Sequence, residues 1–312
     1  MYRVYIAILI TTTFKDTPFG TSSLLRPSFL ATNTIDSLSP TNRYMTNSSR
    51  SQFYHDVFAW VLRQQQQARS TPLMVGLSAP QGAGKTTLTA ALCEIAAAHG
   101  IRAVSLSIDD FYLTRAEQLR LARAHPNNPY WQQRGYPGTH DLALGEATLH
   151  ALKGLGSKGA LPLPAYDKSA HSGQGDRRPM SEWREVRGPL EVIFVEGWML
   201  GFTAVPDSEL NDASLKAINA ALPAYERWLE LLDAFIWLEP LDLHYTVDWR
   251  VEAEERMKEQ GKTGMSQPEI LAYIAKFLPA YKTYLPVLKA TVSRFPHLHL
   301  TIARNRLPKS NV

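Results

Sequence analysis

The stretch Ala79-Pro-Gln-Gly-Ala-Gly-Lys-Thr86 decides how this chain is read. It follows a short apolar run, Leu73–Ser78, that reads as a buried strand. It opens an Ala-rich helical stretch from Lys85 to Ala98, which Gly100 stops. A glycine-rich loop between a strand and a helix is the context of a P-loop. Gly82 and Gly84 let the backbone curl so that successive N–H groups face phosphate oxygens, and the helix N-terminus adds partial positive charge. Ala79, Pro80, Gln81, Gly82, Ala83, Gly84, Lys85, Thr86 and Thr87 would then surround the phosphates of ATP. Lys85 would reach the β- and γ-phosphates, and the Thr86 hydroxyl is placed to ligate Mg²⁺. Ala79 stands where Gly is commoner, a small-for-small change. A second candidate, Gly261-Lys-Thr-Gly264, lacks the preceding strand and the glycine spacing and reads as a loop between helices.

Outward from the P-loop, strands are expected at Ala103–Ile108, 190–195, 234–238 and 298–302, with helices at 143–153 and 215–232 between them. Strands alternating with helices predict an α/β fold: a P-loop NTPase three-layer architecture with a five-stranded parallel sheet. Upstream, Phe53, Val57, Trp60 and Val61 recur at helical spacing, with Ser51 as candidate N-cap. The aromatic series Tyr273, Phe277, Tyr281 and Tyr284 reads as core, in a helix that Pro279 and Pro286 should kink or end. Residues 112–140 and 154–188 are loop-rich, and loops that long in a compact domain are functional or disordered.

Residues 1–50 are rich in Ser and Thr and poor in acids. They are expected to be a disordered extension, either transit-peptide-like or preceding a true start at Met45, with the folded P-loop domain at 51–312. The formal charge of +4 suits an anionic ligand and shows no nucleic-acid face. The single Cys93 excludes an intrachain disulfide and suits a reducing compartment, and no apolar run reaches membrane-span length. A cytoplasmic enzyme acting on a small molecule is the expectation, organellar only if the extension is a genuine transit peptide; oligomeric state is not encoded legibly.

Two acids follow strands at the sheet edge where α/β chemistry gathers. Asp109 is the candidate general base for an attacking hydroxyl, and Glu196 the candidate Mg²⁺ ligand, directly or through water. Asp110 reads as a turn cap.

The run Ser107-Ile-Asp-Asp-Phe-Tyr112, one helix and one strand after the P-loop, resembles the phosphoribulokinase/uridine kinase group, in which the Asp before the aromatic is taken as the base. Arg134-Gly-Tyr-Pro-Gly-Thr-His-Asp141, Pro164-Ala-Tyr-Asp-Lys-Ser169, Gly175-Asp-Arg177 and Gly264-Met-Ser266 are similar to the D-glycerate 3-kinase family. The resemblance spans roughly residues 51–306 and implies transfer of phosphate from ATP to D-glycerate. Kinases for another hydroxy acid, pantothenate or a nucleoside, and a non-kinase P-loop switch, stay open. A glycerate site needs cations for the carboxylate and partners for two hydroxyls. Arg134 is a candidate bidentate grip and Lys168 a point charge, with Tyr112, His140, Asp141 and Tyr166 completing the pocket. Asp167 and Asp176 could instead pair with Lys168 and Arg177. The resemblance also implies a lid at about 242–266, where Arg250 would either meet the transferring phosphoryl group or pair with Glu254 at i,i+4. It places Asn305 where related kinases pass the adenine.

Overall fold

The computed structural model describes residues 40–68, 70–259, 261 and 265–309. Residues 1–39 and most of the Gly261–Gly264 loop lie outside the described residues, and with them most of the expected extension. The strands are β1 (Leu73–Ser78), β2 (Ala103–Ser107), β3 (Ala160–Leu163), β4 (Tyr166–Asp167), β5 (Asp176–Arg177), β6 (Arg184–Arg187), β7 (Val192–Gly197), β8 (Ala234–Pro240) and β9 (His297–Ile302). The helices are α1 (Pro40–Gln67), α2 (Lys85–Ala98), α3 (Arg115–Ala124), α4 (Leu142–Lys153), α5 (Leu215–Ala221), α6 (Glu226–Leu229), α7 (Tyr245–Glu259), α8 (Gln267–Ala275) and α9 (Leu278–Val292).

Five strands form one parallel sheet in the order β2-β7-β1-β8-β9. Its central strands are apolar runs because helices cover both faces. Phe53, Val57 and Val61 of α1 and Leu88, Leu92 and Ala96 of α2 pack on one face against Leu77, Phe194 and Ile236. Leu149 and Leu152 of α4, Ile218 of α5, and Tyr281, Tyr284 and Leu288 of α9 pack on the other against Ile193, Val195 and Phe235. The result is the three-layer α/β arrangement expected from the alternation.

Local boundaries differ from the sequence expectations for identifiable reasons. Helix α1 begins at Pro40, so Ser51 is interior and not an N-cap. Pro suits a first helical turn, and no Gly or Pro follows before Ser51 to stop the helix. The expected helix 215–232 is instead α5, a 3₁₀ turn at Leu222–Tyr225 and α6, because Pro223 removes a backbone donor there. Pro279 sits in the first turn of α9, as its missing donor favours, whereas Pro286 lies inside α9 without ending it. The segment 154–188 is not only loop: β3 pairs with β6 and β4 with β5, both antiparallel.

Gly145 of α4 faces Trp228, and a Cβ there would lie 2.3 Å from the indole. A Gly→Ala change inside a helix ordinarily gains about 1 kcal/mol, whereas overpacking a filled core costs about 1–3 kcal/mol. Gly145→Ala should therefore lower the urea midpoint, a net loss of up to about 2 kcal/mol. An unchanged or raised midpoint would show that Trp228 yields.

Candidate active site

The P-loop is built as its glycines require. Gly82 and Gly84 have φ of +78° and +90°, and Gly84 is the N-cap of α2 with no side chain capping the helix. The first-turn N–H groups of α2 thus face the loop as an anion site. Ala79 and Pro80 are buried at the end of β1, and Thr87 is exposed on the first turn of α2. Ala83 N–H donates to Pro80 O at 3.3 Å. Lys85 Nζ spans the loop, donating to Ala79 O at 3.0 Å and Pro80 O at 3.2 Å. Burial pushes the Lys85 pKa down, against the opposing charges of Glu196 and Asp109. Gln81 is held by Tyr281, whose hydroxyl accepts from Gln81 N–H at 3.0 Å and donates to the Gln81 side chain.

Glu196 is the penultimate residue of strand β7, only 4% exposed, and accepts from Thr86 Oγ1 at 2.8 Å. The structure thus brings the two proposed Mg²⁺ ligands together. Among the described residues no cluster of three or more His, Cys, Asp or Glu could hold a metal ion. A hydroxyl and one carboxylate nevertheless match Mg²⁺, which keeps waters and substrate phosphates as its other ligands.

Asp109 opens a 3₁₀ turn, Ile108–Phe111, directly after β2. That turn can sit on the end of β7 because Gly197 has no side chain: a Cβ there would be 2.3 Å from Ile108. Ser107 caps the turn, and Asp110 completes a capping box, as expected. Asp110 also accepts from Tyr166 N–H at 3.3 Å, and burial pushes its pKa up to about 6. Asp109 behaves differently. Burial would raise it, but the Lys168 ammonium, 2.5 Å from Oδ2, together with His140 and Lys85 outweighs burial and holds the carboxyl below its ordinary value. Lys168 responds in kind: burial favours its neutral form, the Asp109 charge prevails, and its pKa rises. The second oxygen, Asp109 Oδ1, is buried with no hydrogen-bond partner.

Tyr112 and His140 act on the Asp109 charge, and Tyr166 packs against Tyr112. The Tyr112 ring stacks on His140 at 4.5 Å and meets Tyr166 edge-on at 5.4 Å. His140 Nδ1 lies 2.8 Å from the Tyr225 hydroxyl, which already accepts from Gly138 N–H at 2.8 Å. A Tyr225 proton donated to Nδ1 would leave the proton of the neutral imidazole on Nε2. His140 Nε2 and Tyr166 Oη are both buried without a partner. Such orphaned groups are costly unless something supplies their hydrogen bonds.

Three expected contacts take another form. Arg134 does not present a free fork: its guanidinium donates to the carbonyls of Gly173, Gln174 and Lys168 and lies over Tyr166. It clamps the loop that carries Lys168. Asp141 caps α4 through Leu144 N–H and pairs with Arg177 at 3.1 Å. Arg250 pairs with Glu254, a side chain 2% exposed, and lies over Tyr273 at 4.8 Å; the i,i+4 reading is the one realised. Asp167 accepts from Ser169 and Asp176 from Arg115 and Arg177 backbone N–H, so neither holds Lys168.

Asn305 closes a turn by accepting from Leu307 N–H at 3.0 Å and lines a groove of about 720 Å³ between α1 and β9. Its neighbour Arg306, not singled out from sequence, donates to Gly82 O at 2.8 Å and Glu252 at 2.7 Å. Trp249 of α7 packs on Gly82, and its indole donates to Arg304 O at 2.6 Å. The helix expected as a lid is thereby tied to both the P-loop and the last loop. Tyr225, Tyr281 and Arg306 were missed because each is one residue in an ordinary helix or loop pattern; only the Arg304-Asn-Arg306 run offered a signal.

Burial pushes the His140 pKa from 6.5 down to about 4, with Asp109 opposing weakly. The unfolded chain then takes up this proton first as pH falls, so the stability contribution is complete above 6.5 and is lost between 6.5 and 4, at about 1.4 kcal/mol per unit. An NMR titration of the His140 imidazole should show its midpoint near 4. A midpoint near 6.5 would contradict the buried neutral assignment.

No protein-family model matches the chain. It is 44% identical over 223 residues to the chloroplastic D-glycerate 3-kinase of Arabidopsis thaliana, covering 70% of this chain and about half (49%) of that protein. It is 35% identical over 261 residues to an uncharacterised kinase of Schizosaccharomyces pombe, covering 79% of this chain and 94% of that one. The solved D-glycerate 3-kinase of Cryptococcus neoformans superposes with a TM-score of 0.74 at 31% identity, covering 82% of this chain and 97% of that one. P-loop, strand-end carboxylates and relatives agree: this chain belongs to the D-glycerate 3-kinase family of P-loop kinases.

Proposed function

We propose that this chain transfers the γ-phosphoryl group of ATP to the 3-hydroxyl of D-glycerate. The observation that carries the reading is Asp109. Its carboxylate is held ionised by Lys168, its second oxygen is buried with no hydrogen-bond partner, and the His140 imidazole, whose Nε2 is likewise unpartnered, acts on its charge. A nucleotide switch has no need of such a pocket next to its P-loop; a kinase needs one for its acceptor. A polyhydroxy acid fits the set: one hydroxyl proton to Asp109 Oδ1, hydroxyl or carboxylate oxygens to the His140 and Tyr166 donors, and a carboxylate to Lys168. The names of the relatives from Arabidopsis and Cryptococcus supply the identity of the acid.

The P-loop N–H groups and Lys85 would hold the triphosphate in line with the acceptor hydroxyl. Thr86 and Glu196 would hold Mg²⁺, which when bound neutralises charge on the phosphate oxygens. Asp109 takes the hydroxyl proton as the oxygen attacks the γ-phosphorus, and the bond to the β-phosphate oxygen breaks to release ADP. Trp249, docked on Gly82, would shield the P-loop from water. No helix among the described residues is long and apolar enough to cross a membrane, and we infer a cytoplasmic site from the single cysteine.

Coupled ADP release should depend on D-glycerate and not on uridine or pantothenate. No acceptor-dependent release with any of them would refute the kinase reading. Asp109→Asn should retain ATP binding and lose about 10²- to 10⁴-fold in turnover. Turnover within a few-fold of the parent would remove Asp109 from the base role.

A further inference from the structure

We propose that Lys168 locks Asp109 and is released by the acceptor's own negative charge, so that an anionic group on the acceptor is a condition for proton transfer and not merely a binding handle. This rests on the kinase reading of the site.

The geometry of the pair is unequal in a way that suits a lock. Asp109 is fixed, in a capped 3₁₀ turn with its side chain 21% exposed. The Lys168 side chain is 58% exposed on a flexible four-carbon stem. Its backbone, by contrast, is anchored. Arg134 holds Lys168 O at 3.1 Å and Gly173 O at 2.9 Å, and Asp167 accepts from Ser169 N–H at 2.8 Å. An anchored backbone carrying a flexible stem makes Lys168 a swinging arm whose sweep begins at its ion pair with Asp109 Oδ2. Two other cations of these loops are committed elsewhere, Arg134 to carbonyls and Arg177 to Asp141 and Tyr112 O. Lys168 is the one of the three whose partner is the candidate base.

An ammonium on a carboxylate withdraws basicity from both of its oxygens, and general-base efficiency falls with it. Asp109 under Lys168 is therefore a weak base toward any hydroxyl, water included. A carboxylate entering the pocket offers Lys168 an equivalent partner. The exchange trades one ammonium–carboxylate pair for another, so its cost is small, and it leaves Asp109 free as the acceptor hydroxyl arrives at Oδ1. A neutral polyol offers no such exchange. The lock thus selects anionic acceptors at the chemical step, and it restrains transfer to water when the pocket holds no anion.

Lys168→Met and Lys168→Arg separate these effects; the site is exposed enough for both to fold. Three quantities are read: acceptor-independent ATP hydrolysis, and kcat/KM for D-glycerate and for glycerol, its neutral analogue. Lys168→Met should raise acceptor-independent hydrolysis about tenfold, as expected of a freed general base. It should lower kcat/KM for D-glycerate by about 10²-fold through the lost charge pair, and shrink the glycerate-over-glycerol preference by at least about tenfold. Lys168→Arg, keeping the charge, should keep hydrolysis low. Unchanged or reduced hydrolysis in Lys168→Met, which a merely structural or binding role predicts, overturns the lock. If hydrolysis rises but neither enzyme uses D-glycerate, the lock stands and the glycerate assignment falls.

Discussion

The parallel register of β2, β7 and β1 is the constraint on which the rest of the molecule depends. Ser107, Glu196 and Leu77 lie in one row across those strands. That row places the P-loop, the Asp109 turn and the Glu196 carboxylate at the same edge of the sheet. Alternation of side chains along a strand then settles which face each group serves. Glu196 shares the face of Leu77, where α2 packs, and so meets Thr86. A register slip of one residue would turn Glu196 to the opposite face and separate it from Thr86. Gly197, next in β7, clears the space in which Ile108 seats the Asp109 turn.

Charge organises what the register assembles. Two carboxylates, Asp109 and Glu196, and two ammonium groups, Lys85 and Lys168, act on one another across the same small volume. The charges there face opposite ones; alone, Asp109 or Lys168 would be driven toward its neutral form. Lys85 is the one whose burial prevails, since backbone carbonyls and not a carboxylate take its donors. Next to Asp109 the buried, stacked Tyr112 and His140 rings exclude water and strengthen its electrostatics.

What the sequence made legible follows from how local the signal is. The P-loop and the five sheet strands were readable because apolar runs and glycine spacing are consecutive in the chain. Asp109 and Glu196 were readable because a strand followed by an acid is also local. The roles of Arg134 and Asp141 were not. Whether a guanidinium points at a ligand or at three carbonyls depends on a loop forty residues away, as Arg134 and Gln174 show. Asp141 had the alternative of capping α4, which its position before Leu142 permits but does not announce. Tyr281 carried the helical spacing of a core residue, and it is one, yet its hydroxyl also orders Gln81 of the P-loop. The antiparallel pairs in 154–188 were hidden because β4 and β5 are two residues each, too short for any periodicity.

The central claim is that Asp109 faces the primary hydroxyl of a three-carbon hydroxy acid. Phosphorus NMR of the product from ATP, Mg²⁺ and D-glycerate tests it most directly. A phosphate ester on the terminal carbon couples to two methylene protons, and the account predicts that triplet-like resonance growing with ADP. A doublet, from coupling to the single proton of the central carbon, would contradict the placement of the acceptor. Inorganic phosphate alone would contradict the account of the site as a kinase.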